Sequence, residues 1–355
     1  MPGPTPKVVQ MSNVFRSQLL ARERSAANAM VRYYGETWRR IRDQVTNLEA
    51  EVQALLDAGE DVTVGKLWRL ERLQSIQQQV QDELALFVDF ADPHLRAGLE
   101  HAIAAGDANA RELLLAGFPP GSVSIAFDRM SREAVEALVG FAGDGTPLRN
   151  LLIQTLGPMT DQFFQSLVSG LAMGWNPRRL ARTLRDDFGM GLDRALRIAR
   201  TEMLRAWRTS TLAAYRKSGM VLEWERIAAH DHRTCLACLL LDGTRYPLER
   251  EMEDHVNGRC ALLPVTPSYA SMGIDAPEPD FHRELGRDWF LAQPPGLQRD
   301  MMGAGRFDLW KQGLITLDQI PHKREDPVWG DSWVPKPLYL LKQENGIEDD
   351  LEAVA

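Results

Sequence analysis

The sequence predicts a mainly α-helical chain that closes in a small α+β module, and three observations carry that prediction. Apolar residues recur at spacings of four and three from Ala27 to Leu55, and a second long segment repeats the pattern. Helix-forming composition then persists to about residue 217. After Gly219 the texture changes to short alternating runs, turn signals and all three cysteines. The expected architecture is a long N-terminal helical hairpin, a helical middle, and a cysteine-rich β module in the C-terminal part.

Taken in order, the opening MPGPTPKVVQMSN has early prolines and no apolar run, so residues 1–15 are expected to be disordered and to lack a secretory signal. Ala27, Val31, Tyr34, Trp38, Ile41, Val45, Leu48, Val52 and Leu55 form a heptad seam of about four repeats. Such a seam packs along another helix or along a second copy of itself. After a turn in 58–65, Leu70, Leu73, Val80, Leu84 and Phe87 share a face, and Asp92-Pro93 should stop the helix. Residues 16–92 therefore read as an antiparallel hairpin. Residues 93–160 read as helical connectors broken at Gly106, at Gly117, at Pro119-Pro120-Gly121, at 143–147 and at Gly157-Pro158. Further breaks are expected at 174–177 and 189–191. VLEWERIAA then alternates as a strand does, and Asp242-Gly243 is a turn signal between apolar runs. Residues 268–342 form a Pro- and Gly-rich extension with one helical stretch over 281–310. The tail, 343–355, carries Glu348, Asp349, Asp350 and Glu352 and is expected to be disordered.

Bulk properties exclude several classes. A chain of 355 residues with 44% apolar content can bury a sizeable core. A net charge of −8 argues against a protein that coats nucleic acid over its whole surface, so any such contact must be local. Residues 176–217 supply one candidate, with eleven Lys or Arg against four Asp or Glu. Within it Arg178, Arg179, Arg182 and Arg185 place at least three guanidinium groups on one helical side, which suits phosphates or an acidic protein surface and equally suits plain solvent. No segment approaches the ~20 apolar residues of a membrane span. Neither a phosphate-binding GxxxxGK[ST] loop, nor a GxSxG elbow, nor HExxH is present.

The cysteines carry the most specific signal. Cys235-x2-Cys238 is followed after sixteen residues by His255-x4-Cys260. A Cys-x2-Cys pair on a tight turn offers two sulfurs to one tetrahedral ion, and a distant second pair closes the site, so Zn²⁺ is the natural candidate. In a module this small a structural ion would supply folding free energy on the order of 10 kcal/mol. The alternative is three buried thiols and an unrelated histidine.

The order of residues around these cysteines is more specific still. IARTEMLRAWRTSTLAAYRKSGMVLEWERIAAHDHRTCLACLLLDGTRYPLEREMEDHVNGRCALLPV contains Arg200, Thr201 and Glu202 within a helical run, then Tyr215 and Trp224. It continues with Asp231, Arg233, Thr234, Cys235 and Cys238, then the Leu241-Asp242-Gly243 turn, and closes on His255, Arg259, Cys260 and Pro264. This pattern resembles the phage head morphogenesis family, the minor capsid proteins with a Mu F-like domain. The likeness is clear over roughly 170–267, and it implies a head morphogenesis domain over 161–267 with a zinc-knuckle-like module. Two departures stand out, because Asp254 and Gly258 occupy positions where the family usually has a proline and a further cysteine.

The resemblance implies a minor structural protein of a phage head rather than an enzyme. It would associate with the portal protein or the major capsid protein, support assembly, DNA packaging or DNA delivery, and reside in the virion after assembly in the host cytoplasm. Metal ligation would fall to Cys235, Cys238, His255 and Cys260. Arg200 and Glu202 would either dock the knuckle or form an ordinary solvated pair, and Asp231 would orient the knuckle turn by accepting N–H bonds. Two alternatives from other classes are a metal-dependent nuclease of His-Asn-His type, suggested by His255 beside the Cys pair, and a zinc-containing nucleic-acid-binding protein.

Overall fold

A computed structural model of the chain describes residues 3–124, 148–326 and 330–347. The break expected at 143–147 and the acidic group at 348–352 lie outside the described residues. The chain is mainly α with a small α+β module toward its C-terminus. In chain order the helices are α1 (Pro6–Asp57), α2 (Val64–Leu67), α3 (Glu71–Ala116), α4 (Leu148–Ala172), α5 (Pro177–Ser218), α6 (Leu236–Leu240), α7 (Gly286–Leu291), α8 (Pro295–Met302), α9 (Ala304–Lys311) and α10 (Leu338–Glu344). The strands are β1 (Glu223–Ile227), β2 (Arg245–Pro247), β3 (Ala261–Val265), β4 (Pro321–Arg324) and β5 (Ser332–Pro335). Contacts divide the chain into two compact units, one drawn from residues up to 19, from 101–136 and from 204 onward, the other from 20–100 and 137–203.

The second of these units holds the hairpin. Tyr33 stacks on Phe90, Tyr34 packs edge-on against Phe87, Glu83 accepts from Arg40, and Glu51 accepts from Arg72, a falling series that makes α1 and α3 antiparallel. Ile41, Val45, Leu48 and Val52 of the seam are buried against this chain's own helices. At Val31 the seam slips by one residue, since Val31 is exposed and Met30 is buried in its place. Tyr34 also stacks on Phe188 of α5 and donates its hydroxyl to the Phe188 carbonyl at 2.7 Å.

Several expected breaks are not breaks. Helix α1 begins at Pro6, so residues 6–15 are helical rather than disordered: proline at the first position forfeits no hydrogen bond, and Thr5 Oγ1 accepts from the Val8 N–H at 3.3 Å. Helix α3 runs through Pro93 and Gly106. On both sides of Pro93 one ridge is buried, from Phe87, Val88 and Ala91 to Leu95 and Leu99. At ~1.5–3 kcal/mol for each large apolar side chain, that burial outweighs the ~3 kcal/mol cost of an internal proline. Helix α4 likewise runs through Pro158, where Gly157 has no Cβ to meet the proline ring and Met159, Phe163 and Phe164 are buried. Helix α5 runs through 189–191, and a side chain at Gly191 would overlap Met159 and Tyr34. The break at 174–177 is real, with Gly174 at φ 62°.

The first unit contains the module. Gly106 lets α3 approach α5 so closely that a Cβ there would overlap the Trp207 carbonyl, and Ser210 Oγ donates to the Ile103 carbonyl at 2.7 Å across the same contact. The strands of the main sheet are ordered β2-β1-β3, all antiparallel, with Trp224 opposite Tyr246 and Pro264, and Arg226 opposite Leu262. Trp224 and Leu262 share a core with Leu114 of α3 and with Leu212 and Tyr215 of α5. The apolar run before Asp242-Gly243, read above only as one flank of a turn, is the short helix α6. The helical stretch over 281–310 is three short helices separated around Pro294 and Gly303.

The expected boundary at 267 does not divide the core. Leu236, Cys238, Leu239 and Cys260 share one cluster with Phe290, Met302, Phe307 and Ile320 of the extension. Conversely, the expected domain over 161–267 contributes to both units, its first part belonging with the hairpin. The tail begins later than expected, because Gln343 and Glu344 belong to α10, whose Leu341 is fully buried.

Candidate metal centre

The module is built so that two distant stretches meet. Cys235 caps α6 and Cys238 lies one turn on, which is how a Cys-x2-Cys spacing presents two sulfurs on one side. The preceding turn is organised by Asp231, whose Oδ1 accepts from the Arg233 N–H at 2.9 Å and from Thr234 Oγ1 at 3.0 Å. Arg259 then forks onto the same carboxylate, at 2.6 and 2.8 Å. Since Arg259 precedes Cys260, this bidentate pair staples the late thiol to the early ones. Burial opposes the charge on Asp231, but the Arg259 guanidinium beside it holds its carboxyl far below the usual carboxylate range.

Cys238 is the hub. Its sulfur lies within 4.8 Å of ligand atoms of Cys235 and His255 in one group, and of Asp254 and Cys260 in another. Cys238 and Cys260 are buried and Cys235 is half-buried. His255 Nδ1 is 2.8 Å from the Val256 carbonyl, which can only accept, so Nδ1 carries a proton and Nε2 is the nitrogen that would ligate a metal, on giving up its own proton. Burial works to lower the His255 pKa, but the adjoining Cys238 and Asp254 outweigh it and raise it to about 9. The surroundings of this ring favour a cation. The four side chains Cys235, Cys238, His255 and Cys260 line a small cleft together with Arg233, Thr234, Asn257 and Arg259, and the cluster is able to hold a metal ion.

Behind the thiols lies a buried ionic group absent from the candidate residues above. Asp254 is paired with Arg208 of α5 and, at 2.8 Å, with Arg226 of β1, the three side chains being 3%, 8% and 1% exposed. Burial opposes the carboxylate charge, but Arg208 and Arg226 lower the Asp254 pKa to about 2. Strand alternation accounts for Arg226, which points to the same side as Trp224 two residues earlier. That position was the available sequence signal, since a charge on the same strand face as a core tryptophan calls for a partner. Three thiolates and one carboxylate would balance two guanidinium groups and one divalent cation, so the charge of the donor set fits such an ion.

The other singled-out residues fall in several places. Arg200 pairs with Glu23 at 3.1 Å, and Thr201 Oγ1 donates to the Arg197 carbonyl, both within the hairpin unit. The docking role considered for Arg200 is filled instead by Arg208, two turns further along the helix. Glu202 is buried. Tyr215 donates to the Leu262 carbonyl at 3.2 Å and Trp224 Nε1 to the Arg250 carbonyl at 2.9 Å, fixing the sheet on α5. Asp242 accepts from the Ala228 and Gly286 N–H groups, from His230 and from Arg283, while Gly243 supplies φ 86° for the turn. Arg178, Arg179, Arg182 and Arg185 are exposed, Arg179 lying 4.0 Å over the Trp175 ring and Arg185 pairing with Asp186.

Fold and cluster together define a helix-mounted, cysteine-rich α+β module. Residues 161–263 match the family model described as Phage Mu protein F like protein, and this segment is a Mu F-like domain of the phage head morphogenesis family. No curated protein and no solved structure matches the chain. Among the described residues no helix is long and apolar enough to cross a membrane.

Proposed function

We propose that the protein is a minor structural component of a phage head, residing in the virion and associating with the portal protein or the capsid interior to support head assembly, DNA packaging or DNA delivery. The single observation that carries this is the Mu F-like segment over 161–263. The geometry agrees with a binding role, because the buried Asp254, Arg208 and Arg226 group is consumed in holding chain segments together. The zinc assignment belongs to the same proposal: Cys235, Cys238, His255 and Cys260 would hold one structural Zn²⁺, whose chemistry is to cross-link the module rather than to activate water. His282, the next histidine that a His-Asn-His nuclease would need, is 98% exposed and bonded to Asp280, which favours the non-enzymatic role. Arg178, Arg179, Arg182 and Arg185 would supply local contact with packaged DNA or an acidic partner surface.

Co-expression with the portal protein of the same phage should give a co-purifying complex, and mass spectrometry of purified virions should find the chain. Absence from virions together with failure to bind either portal or capsid protein would sink the assignment. Protein purified without chelator should contain about one equivalent of zinc, and Cys235→Ser should lose it together with thermal stability.

A further inference from the structure

The buried Asp254 is not explained by chain packing alone. Its carboxylate sits beside the thiol cluster, with Oδ1 3.7 Å from Cys238 Sγ and 2.8 Å from the Arg226 guanidinium, which itself reaches to 3.6 Å from the same sulfur. Arg208 enters from α5, pairs with Asp254 and extends toward the carbonyls of Cys260 and Gly258 at 3.4 and 3.5 Å. Its own Nε donates to the Leu204 carbonyl at 3.0 Å, which fixes the side chain along the helix. The backbone leaves this carboxylate one place to stand: an ideal Cβ on Gly258 would overlap all three atoms of the Asp254 carboxyl group. Residue 258 has to be glycine for as long as Asp254 occupies that space.

We propose that Asp254 is a positioning residue of the metal centre, held over the thiolates by Gly258, Arg208 and Arg226, where it supplies the negative charge that makes two buried guanidinium groups compatible with a bound divalent cation. This rests on the metal site described above and goes beyond it. Without the carboxylate, the positive charge of Arg208 and Arg226 beside the thiolates is no longer offset and repels the ion. With it, the ligands see a matched surround, and the ion is tied through Arg208 to α5 and through Arg226 to β1. Asp254 acts through its neighbours, so the ligand set itself does not include it. Outer-shell partners of this kind typically change metal affinity by about 10–100-fold when removed.

The test measures zinc affinity of the full chain by competition with a chromophoric chelator, and the visible spectrum of the cobalt-substituted protein, for wild type, Asp254→Asn and Gly258→Ala. Asp254→Asn keeps the shape and removes the charge. Gly258→Ala keeps every charge and displaces the carboxylate, so it reports even if Asp254→Asn folds poorly. Both variants should bind zinc about 10–100-fold more weakly, with an unchanged cobalt spectrum because the sulfur and nitrogen ligands are intact. Unchanged affinity in Gly258→Ala, with normal near-ultraviolet dichroism, would overturn the proposal. So would a changed cobalt spectrum in Asp254→Asn, which would make the carboxylate a direct ligand. Wild-type protein that takes up no metal is a separate result, visible before any variant is compared, and it would overturn the metal assignment together with this inference.

Discussion

At the scale of single residues, charge in this molecule is placed by pairing, and Glu83 shows the pattern in its simplest form. Its two oxygens each accept from Arg40 at 2.6 Å, and Thr37 Oγ1 donates to one of them at 3.3 Å. The Arg40 fork lowers the Glu83 pKa, with burial opposing it. A carboxyl whose folded pKa is depressed stabilises the fold above its unfolded value, and the gain disappears as pH falls through the folded one. Glu83→Gln should therefore cost about 1.5–3 kcal/mol at pH 7, the range for a hydrogen bond to a charged group. The difference between wild type and variant should shrink as pH drops below ~4.3, where the unfolded carboxyl takes up its proton. Urea midpoints at pH 7 and pH 3 measure both; a gap that widened in acid would contradict the pairing. The convergence of Cys235, Cys238, His255 and Cys260, and the turn role of Asp231, were legible in the sequence because their spacing is local. Arg208 and Arg226 were not, since their roles follow from contacts with Asp254, which lies 46 and 28 residues further along the chain, and an arginine inside an amphipathic helix reads as solvated until its partner is seen.

At the scale of elements, the sequence conveyed periodicity well and punctuation poorly. The α1–α3 hairpin followed from the seam, and the strand at 223–227 from its alternation. Glycine and proline predict stops at Pro93, at Gly106, at Pro158 and over 189–191, where the helices continue. Local cost was visible there, whereas the compensating burial on either side was not. Helical glycines accordingly divide into two kinds. Gly106 abuts the backbone of α5, with an added Cβ meeting the Trp207 carbonyl and lying 2.9 Å from the Ser210 Cβ, while an added Cβ at Gly189 meets nothing within 4 Å. Gly106→Ala must push two helices apart and should destabilise by about 1–3 kcal/mol, as overpacking does. Gly189→Ala should instead stabilise by up to ~1 kcal/mol through helix propensity. Denaturant midpoints with unchanged slopes would check the pair. Equal signs for the two substitutions would mean that propensity, and not helix approach, governs both positions.

For the whole molecule, the informative tension lies between an acidic chain and one basic stretch. A net charge of −8 repels a polyanion at long range, while Arg178 and Arg182 stand exposed on the first turns of α5 and, among the described residues, enter no ion pair. Arg179 is held flat over Trp175, and Arg185 is partly neutralised by Asp186. Contact with DNA through this face would thus engage about three phosphates. For duplex DNA that corresponds to a slope of log affinity against log salt of about −3, well short of the slope near −10 of a protein that wraps its site. Screening shortens repulsion and attraction alike, but the phosphate contacts weaken directly through counterion uptake, so binding should be detectable at low salt and nearly gone by ~0.2 M. Fluorescence anisotropy with a short duplex of arbitrary sequence would measure the slope. The double reversal Arg178→Glu with Arg182→Glu should abolish binding without lowering the melting temperature, because neither side chain is buried. Undiminished binding by that variant would move the DNA contact to another face and leave the stripe to meet a protein.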